Sequence, residues 1–302
     1  MATRPAGSSD RFQTTGNFAM KLATARLNGV STFGAVTELG FVDLAPSLGH
    51  QFADLRALLA APSLDAARRA ADTEPATALN TLVFERPIPN LDARMLAVGW
   101  AYKDHQTETG KAAPEHPFFF SKHPQAMVGH GVALQRPRVS ERFDFEGEIA
   151  IVIGKAGRHI PANRALEHVA GYTIVMDGSV RDWQAHSVTA GKNFDASSAY
   201  GPWIVTRDDI AEPGRMELVT RVNGQEMQRT FFSEMAWRLE DLVAYASTIC
   251  RLEPGDCIST GTPAGVGNKR VPPVYLKAGD TLSIEVSGIG ELSNPVIDEP
   301  IS

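Results

Sequence analysis

Two glutamates stand where a buried strand is predicted to begin. Glu146 and Glu148 lead into the apolar run 149–153. Side chains two residues apart on a strand share a face, so these carboxylates are expected side by side, with the isoleucines of the run on the opposite face. A third carboxylate, Asp177, directly follows another apolar run, 172–176. Charges this close to a core cost free energy unless a cation neutralises them.

The chemistry of these three side chains indicates which cation they would bind. Carboxylates without clustered cysteine or histidine are hard oxygen ligands, which favour Mg²⁺ or Mn²⁺, with Ca²⁺ as a further option, over zinc or copper. The spacing alone is equally compatible with glutamates that line a solvated strand edge. A metal site is therefore one of two open interpretations of the pattern.

A histidine and a glutamate form a second candidate for chemistry. His105 and Glu108 would meet on one helical turn, since positions i and i+3 are neighbours on a helix. Glu108 would then orient His105 and raise its basicity, as a general base requires. A His-x-x-Glu pair also arises by chance. The segment 107–117, with its glycine and prolines, is either a mobile lid or an ordinary surface loop.

Other segments narrow the range of functions. Lys122 and Lys192 could each face an anionic substrate, although a solvated lysine is the ordinary case. The glycine-rich segment 261–267 lacks the GxxxxGK[ST] pattern of a nucleotide phosphate loop. No GxGxxG precedes a predicted helix and no GxSxG occurs, which argues against a dinucleotide cofactor and a serine nucleophile elbow.

Composition excludes several classes of partner. The 302 residues carry a net charge of −6 and no basic run, so neither nucleic acid nor an anionic membrane surface is an expected partner. No apolar stretch reaches the roughly 18 residues of a membrane span. Cys250 and Cys257 predict two reduced thiols, and the compartment expected for such a chain is the cytoplasm.

The chain divides into three predicted parts. Residues 1–17 are polar and predicted to be a disordered leader. Residues 18–90 predict a small N-terminal α+β domain, with short strands followed by helices at 52–60 and 64–71. Residues 91–302 predict a larger β-dominated domain. The expected fold class is α+β with a β-dominated C-terminal part.

Several local predictions can be compared with the structure. A short helix is expected at 163–169, and Asn223-Gly224 predicts a hairpin turn. Ser233 is expected to cap a helix whose apolar positions run from Met235 to Ile249.

Together, several motifs in order from about residue 96 to the C-terminus resemble the fumarylacetoacetate hydrolase family. They are Gly99 to Glu108, Glu146 to Lys155, Gly171 to Gln184, Gly201 to Thr206, Pro254 to Asp256 and Thr260 to Gly267. The resemblance implies a β-roll or sandwich catalytic domain behind a small N-terminal domain, and a homodimer. Trp100 replaces the Asn that is usual in the family, so we expect Trp100 to form part of the pocket wall and to influence which substrate is preferred.

The resemblance also implies roles for individual residues. The metal ligands it implies are Glu146, Glu148 and Asp177. The catalytic residues it implies are His105, Glu108 and Lys192. The substrate-binding residues it implies are Tyr102, Lys122, Arg181, Gln184 and Thr262.

The activity implied is cleavage of a C–C bond in an acylpyruvate- or fumarylpyruvate-type 2,4-dioxo acid, a small 2-oxo acid substrate. His105, oriented by Glu108, would activate water, while Lys192 and a divalent metal would stabilise the enolate that leaves. Oxaloacetate decarboxylation, or isomerisation or hydration of a 2-hydroxy-dienoate, would use the same enolate. A non-catalytic paralogue that binds metal and a small acid is an alternative of a different class.

Overall fold

The computed structural model describes residues 19–110 and 114–301. The strands are β1 Lys21–Leu27, β2 Val30–Thr37, β3 Gly40–Asp43, β4 Ala76–Thr77, β5 Val83–Phe84, β6 Met95–Gly99, β7 Phe118–Lys122, β8 Met127–Val128, β9 Leu134–Arg136, β10 Phe143–Asp144, β11 Gly147–Ile153, β12 Val169–Met176, β13 Ser179–Val180, β14 Ser198–Thr206, β15 Glu217–Val222, β16 Gln225–Phe231, β17 Cys257–Ser259, β18 Thr281–Val286 and β19 Gly290–Asp298. The α-helices are α1 Ala45–Leu48, α2 Leu55–Leu59, α3 Asp65–Thr73, α4 Lys103–Thr109, α5 Arg181–Gln184, α6 Val188–Lys192 and α7 Leu239–Ile249. The predicted leader at 1–17 lies outside the described residues, as do 111–113 within the predicted lid.

A large, mostly antiparallel sheet forms the centre of the fold. Its strands follow the order β4-β3-β2-β1-β14-β12-β11-β17-β6-β7, with β5 paired to β1 and β8 paired to β14. A second sheet follows the order β16-β15-β18-β19-β9, and β10 pairs with β13. The expected β-dominated α+β fold is confirmed.

Strand β11 lies in the middle of the core. All its residues are buried, which explains why the sequence there is an uninterrupted apolar run rather than an alternating one. Ile149, Ile151 and Ile153 pack in the cluster shared with the second sheet and helix α7. Ala150 and Val152 point to the other face and pack in the cluster shared with helices α1 to α3. The central sheet is thus covered on both faces.

The N-terminal strands continue this sheet. Strand β1 pairs along its length with β2, and its first residues Lys21 and Leu22 pair with Val205 and Ile204 of β14. The division of the chain at residue 90 remains a prediction of the sequence.

Two of the predicted helices are shorter or tighter than expected. The helix expected at 52–60 covers only α2, because Asp54 is its N-cap and accepts a hydrogen bond from the amide of Ala57. The helix expected at 163–169 is a 3₁₀-helix at Ala162–His168, and Val169 already begins strand β12. The Asn223-Gly224 hairpin joins β15 and β16 as predicted.

The capping role predicted for Ser233 is wrong. Ser233 lies in a 3₁₀ turn at Phe232–Glu234, and helix α7 begins at Leu239 with Arg238 as its N-cap. The intervening backbone is engaged elsewhere, since Met235 forms a β-bridge with Tyr102 and the amide of Ala236 donates to the carbonyl of Ala101 at 2.7 Å. Tertiary pairing thus delays the start of the helix.

Within the described ranges, no helix has both the length and the apolar character needed to cross a membrane. Cys250 and Cys257 are both free thiols, and Cys257 is buried.

Candidate active site

Four strand ends meet at one edge of the central sheet. β11 begins at this edge, and its antiparallel neighbour β12 ends there, because Gly147 pairs with Met176. β17 is antiparallel to β11 and parallel to β6, so the C-terminal ends of β17 and β6 reach the same edge. The residues at these strand ends, and those directly before or after them, are therefore brought together.

The predicted carboxylate triad is at this edge. One oxygen from each of Glu146, Glu148 and Asp177 lies within 4.8 Å of the others, and all three residues are buried. The Asp177 amide donates to the Glu146 carbonyl at 2.9 Å, which fixes the spacing of the strand ends. Three converging carboxylate oxygens in a buried site fit one divalent cation that prefers hard ligands.

Two cationic side chains contact Glu146. Lys192 Nζ lies 2.6 Å from Glu146 Oε2 and 2.7 Å from Asp177 Oδ2. Arg181 Nη2 donates to Glu146 Oε1 at 2.7 Å, and its Nε donates to Asp144 Oδ2 at 2.7 Å. Burial opposes ionisation, but the charges of Lys192 and Arg181 hold the pKa of Glu146 well below its usual range.

The surroundings of Glu148 shift its pKa in the opposite direction. Burial, and then the neighbouring charges of Asp177 and Glu146, raise the pKa of Glu148 above its usual range. It accepts hydrogen bonds from Ser259 Oγ at 2.5 Å and from the Gly261 amide at 3.1 Å. A bound divalent cation would compensate the crowding of negative charge that disfavours ionised Glu148.

Position 261, whose amide donates a hydrogen bond to Glu148, requires a glycine. Gly261 has φ of +96°, and a Cβ there would lie 2.6 Å from Ala101 Cβ and 2.7 Å from the Val98 carbonyl oxygen. Any other residue would push the loop away from β6 and move the amide that Glu148 accepts from.

His105 and Glu108 lie on α4, one helical turn apart as predicted. His105 Nδ1 is 3.0 Å from Glu108 Oε2, and Glu108 Oε1 accepts the Gly265 amide at 2.9 Å. Although burial acts in the other direction, the hydrogen bonds from His105 and Gly265 lower the pKa of Glu108 below its ordinary value. With Nδ1 held in this way, Nε2 is the ring nitrogen available for proton transfer.

One cavity of about 400 Å³ joins the histidine to the carboxylates, a size within the usual range for small-molecule sites. The predicted site residues that line it are His105, Glu146, Glu148, Asp177, Arg181, Gln184, Lys192 and Thr262. Glu108 contacts His105 from outside this lining. A larger cleft of about 730 Å³ has no predicted site residue among the described residues that line it.

Tyr102 and Lys122 lie outside the lining of this cavity, and the substrate-binding roles implied for them stay predictions. Tyr102 is fully buried in the main core cluster, and burial raises the pKa of its hydroxyl. Lys122 Nζ lies 2.6 Å from Asp177 Oδ1 and 2.8 Å from Ser198 Oγ, and also donates to the Lys192 carbonyl. These contacts of Lys122 hold Asp177 and the end of α6 in place.

The cavity is also lined by residues to which the sequence analysis assigned no substrate-binding role. Trp100 and Phe118 form an aromatic wall, with ring centroids 4.9 Å apart. Trp100 has φ of +53°, a conformation that a bulky residue rarely adopts. Arg142 and Lys269 add two positive charges to the lining. Only Trp100 had a sequence signal, its departure from the family motif.

Replacing Lys122 should reveal its link to the carboxylates. Lys122→Met should lower the free energy of unfolding of the metal-free protein by roughly 3 kcal/mol, since it leaves the buried Asp177 charge with less compensation. Added Mg²⁺ should reduce this loss, because a bound cation neutralises the same carboxylate. Urea unfolding with chelator and with Mg²⁺ measures both values.

The exposed Lys277 offers the matched control, since Lys277→Met removes the same charge away from the cavity. A loss for Lys122→Met that is equal with and without Mg²⁺ would contradict the coupling to the carboxylates.

Comparison with known proteins identifies the family of this chain. The model of the fumarylacetoacetate (FAA) hydrolase C-terminal family matches residues 94–297. A mitochondrial oxaloacetate tautomerase of Bos taurus, FAHD2A, is 39% identical over 240 residues, which is 78% of this chain and 76% of the bovine protein. The chain therefore belongs to the fumarylacetoacetate hydrolase family, as the motifs implied.

Solved structures support the same assignment. The fumarylacetoacetate hydrolase of Exiguobacterium antarcticum aligns with a TM-score of 0.81 and 32% identity, covering 93% of this chain and 100% of that one. A maleylpyruvate hydrolase of Sphingobium sp. SYK-6, in complex with manganese(II) and pyruvate, aligns with a TM-score of 0.79 and 27% identity, covering 93% and 100%. The expected homodimer and cytoplasmic location stay predictions.

Proposed function

We propose that this protein is a divalent-metal-dependent tautomerase that interconverts the keto and enol forms of a small 2-oxo acid of the oxaloacetate type. The observation that carries the proposal is the single cavity shared by His105, Lys192 and the buried carboxylate triad. The likeness to the bovine oxaloacetate tautomerase supports it. Enolate chemistry without hydrolysis, an alternative from the sequence, agrees better with this relative than acylpyruvate hydrolysis does.

The triad would hold the metal, and Mg²⁺ or Mn²⁺ suits its oxygen ligands. When bound, the ion supplies Lewis acidity that polarises the 2-oxo group and acidifies the neighbouring C–H bond. The manganese(II) complex of the Sphingobium protein supports a divalent ion here.

The side chains of the cavity account for the proton transfer. His105 takes a proton from C3 of the keto acid, and Glu108 stabilises the imidazolium that results. Lys192 lies against Glu146 and Asp177, where its ammonium stabilises charge that develops on the 2-oxo oxygen. One C–H bond breaks and one O–H bond forms, so the reaction consumes no water and releases no fragment.

Hydrolysis of a C–C bond is the second candidate, and two observations favour it. The His105–Glu108 pair has the arrangement needed to activate a water molecule, and the Sphingobium structure is that of a maleylpyruvate hydrolase. The two reactions differ in their products, because hydrolysis adds water and gives two acids from one.

The deciding experiment follows substrate and products together. The magnesium-loaded protein is mixed with oxaloacetate enriched in one tautomer, and the enol absorbance is followed by stopped flow while proton NMR identifies the products. We expect faster equilibration of the tautomers with the four-carbon acid retained. Formation of pyruvate at the same rate would indicate a decarboxylase instead.

An acylpyruvate panel provides the other comparison. Rapid cleavage of an acylpyruvate into two acids, with no acceleration of oxaloacetate tautomerisation, would overturn the proposal in favour of hydrolysis.

A further inference from the structure

Two positive charges in the cavity wall are not used by the proposed proton transfer. Arg142 and Lys269 both line the cavity and both are exposed. In the part of the chain that the structure describes, neither side chain forms a hydrogen bond or an ion pair. By contrast, Arg181 and Lys192 each form an ion pair with Glu146. The cavity thus contains cations that are already neutralised and cations that are not.

The backbone holds both residues beside the site. The Arg142 carbonyl accepts a hydrogen bond from the Arg181 amide at 3.0 Å. The Lys269 amide donates to the Val266 carbonyl at 3.1 Å, in a 3₁₀ turn that follows the glycine-rich loop. Lys269 is also among the charges that help lower the pKa of Glu108 against the effect of burial, after the hydrogen bonds from His105 and Gly265. One cation therefore lies on the side of Arg181 and the other on the side of the His–Glu pair.

We propose that Arg142 and Lys269 are specificity-determining residues that bind the distal carboxylate of a dicarboxylic 2-oxo acid. This inference rests on the proposed function, and it goes beyond it by assigning the selection of a dianion over a monoanion to two residues. The guanidinium of Arg142 matches a carboxylate in shape, and the ammonium of Lys269 adds a second charge. A monocarboxylic substrate would leave both cations without a counter-charge.

The test uses ligands that differ only in the distal charge. Oxaloacetate carries the second carboxylate, and its 4-methyl ester has nearly the same shape without the charge. Arg142→Gln and Lys269→Gln should each raise the KM for oxaloacetate by about 10-fold, since each removes a hydrogen bond to a charged group. The KM for the ester should change less than about twofold in both variants. In Arg142→Gln the kcat should also change less than about twofold, because Arg142 does not contact His105 or Glu108.

Exposed residues near in sequence offer matched controls. Arg138→Gln and Lys277→Gln remove the same charges, but neither residue lines the cavity. Both controls should leave the KM for oxaloacetate unchanged. If they raise it as much as Arg142→Gln and Lys269→Gln do, the effect is one of net charge and the proposal is wrong.

Calorimetry separates this inference from the proposed function. Binding of oxaloacetate and of the ester to the magnesium-loaded protein is measured without any need for turnover. Tighter binding of oxaloacetate that is lost in Arg142→Gln upholds the inference, even if the wild-type protein shows no tautomerase activity. If Arg142→Gln weakens the binding of both ligands equally, or of neither, the inference is wrong, whatever the tautomerase assay shows.

Discussion

Removal of divalent metal should lower the activity of this protein by about 10²–10⁴-fold, since the charge stabilisation of a bound ion is worth several kcal/mol. Addition of Mg²⁺ or Mn²⁺ should restore it. Within the same site, Glu148→Gln should weaken metal affinity, because it removes one of three carboxylates whose oxygens lie within 4.8 Å of one another. Activity in chelator, with metal content checked by elemental analysis, and calorimetric titration of Mg²⁺ measure the two effects.

A surface carboxylate provides the control for this prediction. Glu291→Gln removes the same charge from an exposed position on β19, and it should leave Mg²⁺ affinity unchanged. Full turnover by a preparation shown to be metal-free would contradict the role assigned to the triad. Unchanged Mg²⁺ affinity in Glu148→Gln would remove Glu148 alone from the ligand set.

The triad could be predicted because its geometry follows from local rules. The two-residue period of a strand places Glu146 and Glu148 together. Asp177 directly follows an apolar run that is typical of a buried strand. Antiparallel pairing of β11 with β12 then brings the beginning of one strand to the end of the other. The His105–Glu108 contact is local in the same sense, since it needs only one turn of helix.

Features that depend on distant parts of the chain could not be predicted in this way. Nothing in the neighbouring sequence indicates that Lys122 is buried against Asp177. Its partners Asp177, Lys192 and Ser198 lie directly after β12, at the end of α6 and at the start of β14. Arg142 and Lys269 line the same cavity although they are far apart in sequence. The capping pattern at Ser233 was overridden by the pairing of Met235 with Tyr102.

The reaction itself is the hardest feature to obtain from motifs. A divalent metal stabilises an enolate whether that enolate forms by loss of a proton or by cleavage of a C–C bond. A base beside the metal can take the proton in the first case and activate the attacking water in the second. In the proposed roles, His105, Glu108 and Lys192 would serve both routes with the same geometry. The nature of the substrate would separate the routes, and we propose that it depends on residues of the cavity wall such as Trp100 and Arg142.

His105→Ala should lower the rate of oxaloacetate tautomerisation by about 10²–10⁴-fold, the usual contribution of a positioned general base. The loss should appear in kcat, while Mg²⁺ affinity stays the same, because His105 is not among the carboxylates of the triad. Glu108→Gln should lose less activity, since a neutral amide can still hold Nδ1 but does not stabilise the imidazolium. Stopped-flow decay of the enol absorbance gives the rates, and calorimetry gives the metal affinity.

Rescue experiments distinguish a base from a residue that only fills space. His105 lines the cavity, so the side chain removed in His105→Ala leaves room in which added imidazole can take its place. Imidazole should restore part of the lost rate to His105→Ala and should not affect the wild-type protein. His50→Ala, at an exposed position that does not line this cavity, should behave as wild type throughout. Tautomerisation by His105→Ala within about threefold of the wild-type rate, far less than the loss of a general base costs, would show that another group moves the proton.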